Sequence, residues 1–155
     1  VLRTPILTRS MPYKDADDGH RITLDDNVMT HARDVFEKGL QLEAILLAHE
    51  YLEQRLNALH PQAVGNQQSN HRQFKQVIDI LVSANLVSAV DYQVLKEFNR
   101  LRNINANQIL NFSLTMKGAK KGDMIKAINL ADESEQIISK LQQNVESKKS
   151  RKKQR

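Results

Sequence analysis

The sequence predicts an all-α protein, built as an up-and-down four-helix bundle with an irregular N-terminal arm and a basic C-terminal tail. Three observations lead there. Apolar residues recur at three- and four-residue steps over most of the chain, the spacing of one face of a helix. Only three prolines and five glycines interrupt its 155 residues, and aromatics make up 5%. Leu, Ile, Ala, Gln, Glu and Lys, which lose little freedom in a helix, dominate the rest. A β-sandwich of this size would need more turn residues and more β-branched and aromatic positions.

Residues 1–27 follow neither period and contain Pro5, Pro12 and the turn-like Asp17-Asp18-Gly19, so they read as an arm. The helical domain is expected over 28–145. Its first helix, about 28–59, carries Val28, Ala32, Val35, Phe36, Gly39, Leu40, Leu47 and Tyr51 on one stripe. The run from Ala44 to Ala48 is apolar all round, which implies burial on more than one side. A helix of roughly 45 Å with such a middle suggests a second partner surface, and hence a homodimer. Pro61 and Gly65 are expected to end it.

A second helix, about 71–87, shows Phe74, Val77, Ile78, Leu81, Val82 and Leu86. Ser88-Ala89-Val90-Asp91 resembles a capping box that opens the third, with Val90, Val94, Leu95, Phe98, Leu101 and Ile104 on its apolar face. This helix extends at least to Asn107. Residues 117–122 read as a loop, and a fourth helix over about 123–145 carries Ile125, Ile128, Ala131, Ile138, Leu141 and Val145. The basic tail is residues 146–155.

Charge is unevenly placed. The net +5 is carried by Lys148, Lys149, Arg151, Lys152, Lys153 and Arg155; without those six the chain stands at −1. Basicity therefore says nothing about the globular surface. The tail reads either as a solvated terminus or as a salt-dependent contact to nucleic-acid phosphates. With no cysteine there is no disulfide framework and no thiolate nucleophile or metal site, which fits a reducing, cytoplasmic setting. No apolar run approaches the roughly 20 residues needed to span a bilayer, and no signal-peptide pattern opens the chain, so no membrane is expected.

Chemistry concentrates in LKEFNRLRNINANQI. Asn99, Asn103, Asn105, Asn107 and Asn111 fall within thirteen residues, beside Arg100 and Arg102. Asparagine is a poor helix former because its side chain competes for backbone hydrogen bonds, so five on one helix need a reason. A solvated, frayed face is one reading. In the other, Asn103 and Asn107 share a face four residues apart and Arg102 swings round to join them. Two copies across a dimer axis would then line a recess of guanidinium and amide donors suited to a phosphodiester.

The segment Leu101-Arg102-Asn103-Ile104-Asn105-Ala106-Asn107 resembles the signature of HEPN domains, Arg, a polar residue, a short spacer and then Ala-His, with Asn107 in the place of the histidine. The likeness extends to FEKGLQLEAILLAHEYLEQRLN as a first long helix and to IDILVSANLVSAVDYQVLKEFNRLRN leading into the motif, covering about 34–140. It implies a helical dimer with both motifs at the interface, acting as a metal-independent endoribonuclease in a prokaryotic defence or toxin–antitoxin setting. The 2′-hydroxyl attacks the adjacent phosphate and leaves a 2′,3′-cyclic end. In this chain Arg102 would clamp the phosphate, Asn103 would orient it, and Asn107 would stand at the proton-transfer position. RNA, a second copy of the chain and an antitoxin protein are the implied partners; no cofactor and no metal are implied.

Asn107 puts the activity in doubt. Imidazole can take and give a proton near neutrality and a carboxamide can do neither. Losing general acid–base help costs about 10²–10⁴-fold in rate. The residue reads either as a natural loss of the histidine or as a substitution that silences it. A non-catalytic RNA- or nucleotide-binding dimer, serving as a scaffold, is the competing reading.

Other candidates are weaker. His49 and Glu53 could form half of a metal site but lack a complementary pair. His20, His31, His60 and His71 are scattered and read as surface residues. Glu43 and Glu50 could line the motif cleft, though surface pairing is the simpler account. Arg100 joins Arg102, Lys148, Lys149, Arg151, Lys152 and Lys153 as candidate phosphate contacts. The loop at 117–122 has no strand before it and is no P-loop.

Overall fold

A computed structural model describes residues 28–65, 70–110 and 121–154; the side chains of Asn105, of 107–110 and of Lys121 lie outside the described set. All regular structure among the described residues is helical. Five helices follow one another: α1 (Val28–Glu37), α2 (Gln41–Val64), α3 (Phe74–Ser83), α4 (Ala89–Leu110) and α5 (Lys121–Lys153). The N-terminal arm and residues 117–120 of the loop expected at 117–122 lie outside the described residues, while Lys121 and Gly122, expected in that loop, open α5.

The long first helix breaks in two at Gly39. Gly39 has φ +92°, its N–H reaches Phe36 O at 3.0 Å, and the Leu40 N–H reaches Val35 O at 3.2 Å. This is a Schellman ending, which calls for a residue free to enter the left-handed region. Glycine after Phe36-Glu37-Lys38 is therefore a stop signal and not a member of the apolar stripe, and Leu40 beyond it is 52% exposed. α2 in turn runs through Pro61 and closes at Gly65, whose φ is +74° and whose N–H bonds Pro61 O. The helix continues there because Leu59 and His60 are still buried on its inner face. α3 ends the same way at Asn85 (φ 56°), with Leu86 N–H on Leu81 O at 3.0 Å. It is therefore shorter than its apolar pattern suggested. Ser88 does cap α4, its Oγ accepting the Asp91 N–H at 3.1 Å.

α2 is the hub, packed by all four other helices. Ile45, Ala48, Leu52 and Leu56 are completely buried, joined by Phe74, Val77, Ile78 and Leu81 of α3, Leu95 and Phe98 of α4, and Ala127, Ala131 and Ile138 of α5. The all-round apolar middle of α2 is thus covered within one chain. At 24 residues α2 spans about 36 Å, so neither its length nor its apolar middle calls for a second subunit.

Cross-helix contacts fix the directions. α2 and α4 run antiparallel: His49 meets Asn99 at one end, and Ala63 lies with Leu86, just before α4, at the other. α5 runs parallel to α2, with Arg55 beside Ser139 and Gln62 beside Lys149. α3 is also parallel to α2, since Phe74 lies against His49 and Asp79 meets Tyr92 of the antiparallel α4. The strict alternation expected of an up-and-down bundle therefore fails at the α2–α3 step. The cause is a strap at residues 70–73 that brings the chain back along α2. Asn57 grips the Arg72 backbone at both N–H and C=O (2.8 Å each), and Glu53 accepts the Phe74 N–H at 2.8 Å and pairs with His71. Arg33 of α1 pairs with Asp132 of α5 and ties the first helix down.

The fourth helix does not dissolve at Val145. α5 has 33 residues, spans about 50 Å, and carries the tail as helix to Lys153. Cations in a last turn complement the negative end of the helix dipole, which favours this extension. Among the described residues no helix is long and apolar enough to cross a membrane.

Candidate functional site

The polar stretch of α4 is divided by the helical turn. Residues two apart lie about 200° from each other around a helix, so Arg100 and Arg102 face opposite ways. Arg100 is held by Glu97 through two hydrogen bonds of 2.7 Å, and Lys126 of α5 joins the same carboxylate at 3.1 Å. The Arg100 hydrogen bonds, with help from Lys126, hold the Glu97 carboxyl down at about 2. Arg100 thus belongs to an α4–α5 clamp, apart from Arg102.

Arg102 and Asn103 are brought together: Arg102 Nη1 donates to Asn103 Oδ1 at 3.0 Å. Arg102 is half-buried and its Nε is sealed from solvent without an acceptor, while Asn103 is exposed. Among the described residues no carboxylate pairs with this guanidinium. An arginine in that state is a poorly compensated cation with spare donors, suited to a planar oxyanion. Asn107 lies one turn beyond Asn103 on the α4 backbone; its side chain, and Asn105 and Asn111, fall outside what is described.

Behind Arg102 lies a pair missing from the sequence reading. His49 of α2, 3% exposed, meets Asn99 of α4, with Nε2 and Oδ1 2.9 Å apart. The amide oxygen can only accept, so Nε2 carries the proton. The ring stacks on Phe74 (centroids 4.8 Å, 28°) and tilts against Phe98 (5.7 Å). Burial pushes its pKa below the ordinary value; the Asn99 bond opposes that and the Arg102 charge reinforces it. His49 is therefore neutral at pH 7. The signal was present: Ile45, Ala48, His49, Leu52 and Leu56 share one helical stripe, so position 49 had to be buried. Sealed as it is, the ring cannot meet a substrate and does not stand in for the motif histidine.

The half-metal reading of His49 and Glu53 finds both engaged elsewhere, His49 with Asn99 and Glu53 with the strap. Among the described residues no group of three His, Asp or Glu is gathered as a metal site. Glu50 is exposed and bonds Gln54; Glu43 is exposed in the first turn of α2. His31 and His71 are exposed, whereas His60 is buried, against expectation, and its pKa is lowered by that burial and by Arg72.

The basic tail sits elsewhere. Lys149 Nζ donates to Gln62 at 2.6 Å, thirteen residues along α2 from His49. That places it about 20 Å from the Arg102 end of the bundle. Lys148, Lys149, Arg151, Lys152 and Lys153 are thus a second cationic region, separate from the motif. Comparison of the chain with protein-family models, with curated proteins and with solved structures finds no match.

Proposed function

We propose that this chain is a HEPN-type RNA-binding dimer, derived from a metal-independent endoribonuclease and impaired because Asn107 occupies the proton-transfer position. The observation that carries the reading is Arg102: among the described residues its guanidinium bonds its motif neighbour Asn103 alone, and its buried Nε has no acceptor. In the proposed complex two such pairs, one from each subunit, meet across a two-fold axis. Arg102 holds the scissile phosphate and the charge that develops on it. Asn103 orients the guanidinium. His49 and Asn99 fix the floor beneath by pinning α4 to α2. The 2′-hydroxyl would attack phosphorus and expel the 5′-oxygen, and both proton transfers need a group that Asn107 cannot supply.

The test restores that group. Asn107→His, assayed on single-stranded RNA with chelator present, is expected to raise cleavage by about 10²–10⁴-fold and to leave 2′,3′-cyclic phosphate ends. Arg102→Ala in the same background is expected to abolish it. A monomeric protein by light scattering would sink the shared-site reading. The second reading, a non-catalytic scaffold that binds RNA or a partner such as an antitoxin, is favoured by Asn107 itself; an inert Asn107→His protein that still dimerises would establish it.

A further inference from the structure

The inward stripe of α5 changes character at its end. Ser134, Ile138, Leu141 and Val145 are buried at three- and four-residue steps, and the next positions of the same stripe are Lys148, Lys149 and Lys152. These lysines do not point away from the molecule. They rim a cleft of about 280 Å³ floored by Ala63 of α2, Leu86 and Val145. Among the described residues no carboxylate lines it, and Gln62 accepts from Lys149 at 2.6 Å. Here the core stripe outlasts the helix it packs on, because α2 stops at Val64 while α5 continues to Lys153.

We propose that this end of the bundle docks an acidic amphipathic helix of a partner protein, its apolar face on Ala63, Leu86 and Val145 and its carboxylates on Lys148, Lys149 and Lys152. Charge complementarity and geometry both favour that occupant. Lysines three, four and seven positions beyond Val145 on a formed helix present ammonium groups on one face, which loses less freedom on binding than a flexible tail would. An apolar floor between cations matches the apolar anchors and flanking charges of a helix laid in a groove. Single-stranded RNA fits less well, since among the described residues no aromatic side chain lines the cleft to stack a base. The proposal is independent of the Arg102 motif, which lies at the other end of α2.

The experiment titrates the full chain against a labelled, terminally blocked peptide with Leu at i, i+3, i+4 and i+7 and Glu elsewhere, read by fluorescence anisotropy. Three controls accompany it: the same peptide with every Leu replaced by Ser, a single-stranded RNA of equal charge, and the triple variant K148E/K149E/K152E. All three lysines are exposed, and circular dichroism checks that the variant keeps its helices. Saturable binding of the Leu-Glu peptide is expected, at least tenfold weaker both for the Ser peptide and for the triple variant. Equal binding of the Leu and Ser peptides would show charge attraction alone and overturn the proposal. So would tighter binding of the RNA with loss in the triple variant, or no binding of the peptide.

Discussion

At the end of the bundle where α2 meets the middle of α4, polar groups sit inside the packing. At the other end, where α5 passes α2, the cations of the α5 tail all stand outside it. His49 is 3% exposed, bonded to Asn99 and enclosed by Phe74 and Phe98. Lys148, Lys149, Arg151, Lys152 and Lys153 are exposed, and their charges are hydrated whether the chain is folded or not. The contrast teaches where polarity couples to folding. A buried imidazole must be neutral and must find an acceptor, so fold and protonation constrain each other. Exposed ammonium groups impose almost nothing on the fold and are left free for recognition.

The largest effect is expected from Phe98→Ala, which removes a wholly buried ring touching both His49 and Phe74. It should cost about 3–5 kcal/mol in denaturant unfolding. A loss below about 1 kcal/mol would mean the motif end is not the packed core described.

Next is the pH response. His49 and His60 both have folded-state pKa values lowered from 6.5, so the unfolded chain takes up the extra protons first. Stability is then whole above about pH 6.5 and falls as pH drops below it, by at most about 1.4 kcal/mol per pH unit for each group. Unfolding measured from pH 8 to pH 5 should show this, and His49→Gln should reduce the slope. An unchanged slope in that variant would remove His49 from the account.

A smaller loss is expected from Glu53→Gln, which weakens the strap and the N-terminal cap of α3. About 1 kcal/mol is the usual scale for such a cap. The smallest effect should come from replacing Lys148, Lys149 and Lys152 by Gln, within about 0.5 kcal/mol per site. A larger loss there would show that the tail supports the bundle and would erase the contrast.

How far the sequence foretold each region follows from the same contrast. The helices and the buried faces of α3, α4 and α5 were legible because burial imposes a period of 3.6, and Phe74, Leu95 and Ile138 obey it. On α2 the stripe was placed at Leu47 and Tyr51, which are half-buried, whereas Leu52, Leu56 and Leu59 form the buried face. Val90, at 74% exposure, and Ile125, at 43%, follow the period yet are left uncovered by the described residues. Gly39 was misread because a glycine at an apolar step looks like a stripe member until its φ is known. Arg102 and Asn103 stood out by composition, and their mutual bond follows from adjacency. Asn99 was noticed only as one asparagine among five. What distinguishes it is a partner fifty residues away, which no local pattern encodes.

The chain by itself determined that it would be helical, where its charge would gather and which asparagine-rich segment would be unusual, since these depend on composition and on neighbours within a turn or two. Tertiary structure alone decided that α3 runs with α2, that His49 is the buried partner of Asn99, and that the basic tail closes a cleft far from the motif. Each of these is a contact between segments distant in sequence. Such contacts depend on which backbone groups the strap at 70–73 satisfies and on which side chains the closed core leaves room for.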